Sequence, residues 1–359
     1  MQINKERTML DLPEPGALYD ALSSRDPAFE GRAYVGVTTT GIFCRLTCPA
    51  RRPRPENCRW FASPAQAAAA GFRPCLRCHP TGPEAEGHAT VTALIAALHA
   101  DPERRWSESD LTGLGHDPST VRRAFKRHFG QTFLEIARAA RLREGLKSIT
   151  KGSAMIDAQL DAGFDSASGF RTAFTRLFGH PPHQMRQPAD LRADWIETPL
   201  GGMIAIADDT ALHLLEFTDR KALPQGLRRL SGFVGGRIGL GRTAVTDRTE
   251  SQLAQFFAGD RPLFDLDLHL HGTDFQRRVW QGLRQIPAGD TRSYAQLAGA
   301  IGQPSATRAV ANANANNRIA IVIPCHRVIG ADGTLTGYAG GLWRKQRLIE
   351  VERSYGVAA

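Results

Sequence analysis

Two pairs of cysteines, Cys44 with Cys48 and Cys75 with Cys78, constrain this chain more than any other feature. Twenty-six residues separate the pairs. A loop that folds back to join them makes the tetrahedral four-thiolate site that zinc prefers. The competing reading is two buried pairs of free thiols, an arrangement that gives no reason for this close spacing. Cys58 has no partner at ligand spacing and reads as structural, and His79 stays outside the ligand set. One zinc ion held by four cysteines is therefore the expected cofactor. The sixth cysteine, Cys325, stands far along the chain.

The surroundings of the cluster are basic. Arg45, Arg51, Arg52, Arg54, Arg59, Arg73 and Arg77 lie between Cys44 and Cys78, against one acid, Glu56. A structural zinc site needs no such charge, whereas a surface that meets phosphates does. The whole chain carries a formal charge of +9. That balance points to an acidic polymer as partner, or to an ordinary basic enzyme, and composition leaves both open.

At 359 residues the chain exceeds one ordinary core. Four segments separate by composition, 1–80, 88–187, 188–265 and 272–353, and the expected domains are 1–85, 88–187, 192–268 and 272–355. No apolar run approaches the length of about eighteen residues that spans a membrane. The first residues, MQINKERTMLDLPEPG, lack the apolar core of a signal peptide. A cytoplasmic protein without a membrane partner is expected.

The second segment reads as helical. Leu111 and Leu114 supply the apolar spacing of one helix, Gly115 to Pro118 break it, and Ser119 to Phe129 give a second. There Val121, Phe125 and Phe129 recur every four residues, opposite Arg122, Arg123, Lys126 and Arg127. A second copy follows, with an Ala-Gly-Phe-Asp-Ser turn and then Phe170, Phe174 and Phe178. Both second helices end in Phe-Gly. A short helix, a tight turn and a basic second helix make a helix-turn-helix candidate. The third segment reads as strands at Trp195–Thr198, Met203–Ala207 and Leu212–Phe217, between Gly, Pro and Asp breakers. In the fourth, the apolar run Ile319–Ile323 ends in Pro324-Cys325-His326-Arg327-Val328. A buried cysteine is usually inert, but one beside a histidine has a route to thiolate. Adjacent side chains of an extended chain point apart, so a Cys325–His326 contact needs a bend or a bridging water. Glu350 and Glu352 are both candidates to orient the imidazole.

Three resemblances cover nearly the whole chain. Thr-Thr-Thr-Gly-Ile-Phe-Cys-Arg (38–45) and Ala-Ala-Gly-Phe-Arg-Pro-Cys-Leu-Arg-Cys (69–78) resemble the N-terminal domain of the Ada family. That likeness implies demethylation of DNA methylphosphotriesters, with zinc-bound Cys44 accepting the methyl and Thr40, Arg51 and Arg73 on the DNA backbone. Four thiolates on one divalent zinc leave two net negative charges, and methylation leaves one, which should tighten DNA binding. The helical segment is similar to the tandem helix-turn-helix domain of AraC/XylS regulators, which implies that Arg122, Arg123, Arg127 and Arg171 read bases or phosphates. Each of these arginines is equally readable as a solvated charge.

Residues 272–353 resemble the O6-alkylguanine-DNA alkyltransferases. The likeness implies that Cys325 accepts the alkyl group, that Glu352 rather than Glu350 partners His326, and that Asn317 steadies the site. It also implies that Tyr294 lies beside the rotated nucleotide and that Arg308 fills the gap left by the base. Ala339 departs from relatives with serine there. The resemblances together imply a multidomain α+β protein. Its parts are a small zinc-bound α/β domain, an all-α tandem helix-turn-helix domain, a ribonuclease H-like α/β domain and a mainly helical, winged-helix-like alkyltransferase domain. The implied activity is irreversible transfer from O6-methylguanine and O4-methylthymine to Cys325 and from methylphosphotriesters to Cys44, with transcriptional activation. The expected partners are double-stranded DNA and RNA polymerase, and the expected state is a monomer. A regulator without repair chemistry, or a repair protein that binds DNA without activating transcription, are the rival readings.

Overall fold

The structure, a computed structural model, describes residues 12–26, 29, 31–81, 83–353 and 355. It divides into two compact units: Met1–Pro102 with Trp106–Ala137, and Glu103–Arg105 with Arg138–Ala359. Among the described residues, no helix is long and apolar enough to cross a membrane.

The first unit holds a four-stranded sheet in the order Cys58–Phe61, Tyr34–Val37, Ile42–Arg45, Arg73–Pro74. Tyr34–Val37 and Ile42–Arg45 form a hairpin in which Val35 faces Cys44. Alternation along the strands splits the side chains between two layers. Tyr34, Phe43, Phe61 and Phe72 pack on one side with Ala67. Val35, Cys44 and Leu46 pack on the other against Leu18, Ala21 and Leu22 of the helix Pro15–Ser24. Gly36 lies under the aromatic layer, where a Cβ would come 2.7 Å from the Phe61 ring and 2.9 Å from Phe72. Pro74 is tolerated because its strand lies at the sheet edge.

The same unit carries the helices Pro83–Ala100, Glu108–Gly113 and Pro118–Phe129. Ser107 caps Glu108–Gly113 in a capping box with Asp110. Asp117 caps Pro118–Phe129, and Gly130 ends it at φ 68°. Leu111, Val121, Phe125 and Phe129 are buried. Leu114 is not: it follows the end of its helix and is 50% exposed, so its spacing from Leu111 does not put it in the core.

In the second unit, Met155–Asp161 and Ala167–Phe178 form the later helix pair, ended by Gly179 at φ 72°. Phe170, Phe174 and Phe178 share a core with Leu223, Leu227 and Leu230 of the helix Leu223–Val234 and with Leu191, Ile204, Ile206 and Leu214 of a second sheet. That sheet has the order Leu212–Phe217, Met203–Ala207, Leu191–Ile196, Ile238–Leu240, antiparallel except for the last pair. The first of these strands in sequence was expected at Trp195–Thr198 and runs instead over Leu191–Ile196. Thr198 already belongs to the following turn, where its hydroxyl donates to Gly201 O at 2.7 Å.

Met203–Ala207 is buried along its whole length because both faces are covered. Ile204 and Ile206 meet the helix pair, while Met203, Ala205 and Ala207 meet the C-terminal core. That core gathers the helices Asp274–Arg284, Tyr294–Ala300, Thr307–Ala315 and Leu342–Arg353. The run Ile319–Ile323 docks beside the strand Leu212–Phe217: Leu215 N donates to Arg318 O, and Ala320 N to Leu215 O at 2.7 Å. Ile321 takes φ 70°, an unfavourable conformation for a β-branched residue, and it marks where the chain turns toward Cys325.

Candidate functional site

The sheet of the first unit gathers four sulfurs. Cys44 lies within the strand Ile42–Arg45, and Cys48 follows in a turn closed by Cys48 N on Arg45 O. Cys75 is positioned by its own N–H on Phe43 O at 3.0 Å, and Cys78 follows within one turn. The four sulfurs lie within 4.8 Å of one another. Backbone N–H groups of Arg45 and Arg77 donate to the sulfurs of Cys78 and Cys75 at 3.5 and 3.4 Å. Without a cation such a cluster cannot carry four charges. Its hydrogen bond to Cys78, burial and the neighbouring sulfurs push the Cys44 thiol far up, while Cys78, receiving that bond, falls to about 5. Four sulfurs this close make a donor set that fits Zn²⁺, which favours four thiolates. Cys58 lies outside the cluster and donates to Arg54 O.

Thr40, Arg51 and Arg73 are all exposed. Thr40 closes the hairpin turn through its N–H on Val37 O, and Arg73 belongs to the edge strand. Arg122 and Arg123 are exposed on Pro118–Phe129, and Arg171 on Ala167–Phe178, away from the buried phenylalanines. Arg122 pairs with Glu108 at 2.6 Å. The Arg127 side chain lies outside the described residues.

The second unit holds the other sulfur. Cys325 opens a short 3-10 turn, Cys325–Arg327, just after Pro324, and is 6% exposed. This turn supplies the bend, but His326 makes no hydrogen bond to the sulfur. Asn317 does: its amide donates to Cys325 Sγ at 3.1 Å and to Ile323 O at 2.9 Å, while its Oδ1 accepts from Ile319 N. His326 is fully buried, with Nε2 2.8 Å from Glu352 Oε1. Its Nδ1 has no hydrogen-bond partner among the described residues. Glu350 turns elsewhere and pairs with Arg347. Burial pushes the Cys325 thiol up to about 11, against the lowering effect of the Asn317 hydrogen bond. Asn317→Ala should therefore raise the Cys325 thiol further, and the rate of thiol alkylation by a small reagent, measured against pH, should rise only at still higher pH.

Tyr294 opens the helix Tyr294–Ala300 and donates to Gly337 O at 3.4 Å. Burial raises its phenol, so it remains a donor at neutral pH. Arg308 is exposed near the start of Thr307–Ala315.

Known proteins share this combination. The metal binding domain of Ada matches residues 17–81, a helix-turn-helix domain matches 112–188, and the 6-O-methylguanine DNA methyltransferase DNA binding domain matches 274–354. Over 342 residues the chain is 35% identical to the bifunctional transcriptional activator/DNA repair enzyme Ada of Escherichia coli strain K12, covering 93% of this chain and 95% of that protein. The chain belongs to the Ada family. The regulatory protein ada of Salmonella typhimurium strain LT2 is 34% identical, covering 92% of this chain and 94% of its own. A methylated-DNA–protein-cysteine methyltransferase of Mycolicibacterium paratuberculosis is 57% identical over 46% of this chain and 93% of its own. The crystal structure of Mycobacterium tuberculosis O6-methylguanine methyltransferase is similar at 40% identity over 47% of this chain and 96% of that one, with a TM-score of 0.42.

Several residues that the sequence did not mark complete the thiol site of this Ada-family chain. Arg327 donates to Glu352 through Nε at 2.9 Å and Nη2 at 2.7 Å, and through Nη1 to Ile286 O. A small cleft beside the sulfur is lined by Asn314, Asn317, Tyr338, Ala339, Glu216 and Arg220, among others. Glu216 and Arg220 pair, and Arg220 also donates to Asn317 O at 2.9 Å and Ala315 O at 2.8 Å. It thus anchors the chain that carries Asn317. Buried Lys345 donates to Val328 O and Thr336 O. Arg327 meets Glu352 across 25 residues and Arg220 reaches Asn317 O across 97, so no local pattern marks these two contacts.

Proposed function

We propose that this Ada-family chain is a single-use DNA methyltransferase and a methylation-dependent transcriptional activator, with separate acceptors for base and backbone damage. The observation that carries the reading is a cavity-lining cysteine, hydrogen-bonded by Asn317 and followed by a His326–Glu352 pair, in one chain with a four-sulfur cluster. The acceptor for O6-methylguanine, and for O4-methylthymine, is Cys325. A damaged base must leave the stack to reach a buried sulfur, and Arg308 takes its place in the duplex.

His326, held by Glu352, draws the thiol proton through a water between Nδ1 and Sγ. The sulfur then attacks the methyl carbon in line. An S–C bond forms, the C–O6 bond breaks, and its electron pair passes to the guanine. Tyr294 supplies a hydrogen bond to the leaving base, and guanine regains its proton. The product is a thioether, which has no good leaving group, so each Cys325 acts once. With Ala339 in place of serine, only backbone N–H groups are available there to the guanine oxygen.

The cysteine cluster handles phosphotriesters. Zinc, when bound, keeps the four sulfurs as thiolates at neutral pH. The Cys44 sulfur takes the methyl, and the electron pair of the broken C–O bond stays on the phosphate oxygen. Cys44 is preferred over the other three by its place in the family motif. Thr40, Arg51 and Arg73 hold the backbone there, and Arg122, Arg123, Arg127 and Arg171 serve the promoter. Each methylation removes one negative charge from the cluster, which favours binding to DNA.

The domains are taken as 1–85, 88–187, 192–268 and 272–355. The meander with its parallel fourth strand supports a ribonuclease H-like third domain, and the paired Val328–Ile329 and Arg292–Ser293 support a winged-helix-like fourth. A cytoplasmic monomer that engages RNA polymerase completes the reading.

Zinc-loaded protein incubated with methylphosphotriester duplex should carry the methyl on the Cys44 peptide and should then bind unmodified duplex more tightly across a range of salt. A methyl on another cysteine would overturn the choice of acceptor. Unchanged affinity at every salt concentration would overturn the charge switch.

A further inference from the structure

Away from both reaction centres, three histidines meet at one end of the strand Leu212–Phe217. His213 is the second residue of that strand and is 4% exposed. The segment 267–271 runs beside it: Leu212 N donates to Asp267 O at 2.8 Å, and His269 N to Leu212 O at 3.0 Å. In this extended segment His269 and His271 are two apart and so face the same way. Their rings stack 4.5 Å apart at 11°, and the His213 ring lies 4.8 Å from His269 and 5.1 Å from His271. One ring nitrogen from each falls within 4.8 Å of the others, and His213 Nδ1 is 2.9 Å from His271 Nε2.

A carboxylate sits behind them. Asp208 Oδ2 is 2.9 Å from His213 Nε2. Its Oδ1 is fixed by the N–H groups of Thr210 and Ala211, both at 2.7 Å, and by the Thr210 hydroxyl. A rigid carboxylate that accepts one ring N–H sets the tautomer and turns the lone pair of the other nitrogen toward the neighbouring imidazoles. Metal-ligating histidines are typically oriented this way. His271 is half-buried beside His213 and His269. Arg318 is the opposing charge, stacked over Phe233, whose ring lies 5.7 Å from that of His271.

We infer that His213, His269 and His271 form a second metal site, for a divalent ion of the zinc class, with Asp208 orienting His213. Three imidazoles suit zinc and its neighbours in the transition series and leave a coordination position for solvent. His269 is exposed and gives the ion a way in. The ion would staple the strand Leu212–Phe217 to the segment that leads into the helix Asp274–Arg284. The same strand contributes Glu216 to the cavity at Cys325, so the staple would stiffen one wall of that cavity.

The test counts zinc in the full-length chain by mass spectrometry after dialysis against trace zinc, alongside thermal unfolding with and without added zinc. Wild type should hold two ions per chain, and both His269→Ala and His271→Gln should hold one. Added zinc should raise the melting temperature of wild type but leave the response of both variants smaller. His269 is exposed, so its replacement leaves the core intact and keeps the test decisive even if His271→Gln folds poorly. One zinc in wild type, or two in His269→Ala, would overturn the inference.

Discussion

Replacing Glu352 by alanine is expected to destabilise the second unit by roughly 3–5 kcal/mol, the range for removing one partner of a buried ion pair, and to stop methyl transfer at Cys325. Glu352 is 1% exposed and satisfies three neighbours: His326, both near nitrogens of Arg327, and the N–H of Gly289. Alanine would leave the Arg327 charge buried without its counterion and free the imidazole to rotate. Glu352→Gln keeps the shape and loses the charge, so it should fold better yet still transfer slowly. Burial alone would raise the Glu352 carboxyl, but His326 and Arg327 outweigh it and hold the group at about 2, from an ordinary 4.5. A carboxylate lowered on folding contributes stability that is complete above about pH 4.5 and is lost as pH falls toward 2. Denaturant unfolding against pH should show that loss in wild type and lack this component in Glu352→Gln.

Removing zinc should have an even larger effect on the first unit. Its sheet is short, and its two apolar layers are small. Domains of this size generally need a staple, and structural four-ligand zinc sites supply on the order of 10 kcal/mol of folding free energy. A chelator strong enough to strip the cluster, or the change Cys48→Ala, should unfold the sheet around Cys44 and abolish phosphotriester repair. In Cys48→Ala, transfer from O6-methylguanine should continue, because Cys325, the sulfur proposed to accept it, is held by Asn317 in the other unit. Limited proteolysis and the two repair assays, run on Cys48→Ala protein, check both halves of this expectation.

Much of this was readable along the chain because its signals are local. The two cysteine pairs announce their cluster by spacing. Phe125 and Phe129, and Phe170, Phe174 and Phe178, announce buried helix faces by recurring every four residues, and the glycines that follow end both helices in the left-handed conformation. What escaped depends on distance. Arg327 meets Glu352 across 25 residues, and Arg220 reaches Asn317 O across 97. His213 and His271 lie 58 residues apart and meet only because segment 267–271 docks beside a strand. The core shared by Phe170, Phe174 and Phe178 with Ile204 and Leu214 was invisible for the same reason. Boundaries failed where local patterns mislead. Leu114 has helical spacing but falls past the helix end, and Thr198 looks like a strand residue but serves a turn.

Peptide mapping by mass spectrometry tests the proposed role of Cys325 most directly. Full-length protein incubated with O6-methylguanine duplex should gain one methyl, located on the peptide that contains Cys325, and Cys325→Ala should gain none from this substrate. Transfer retained in Cys325→Ala, or a methyl from this duplex on any other residue, would contradict the assignment.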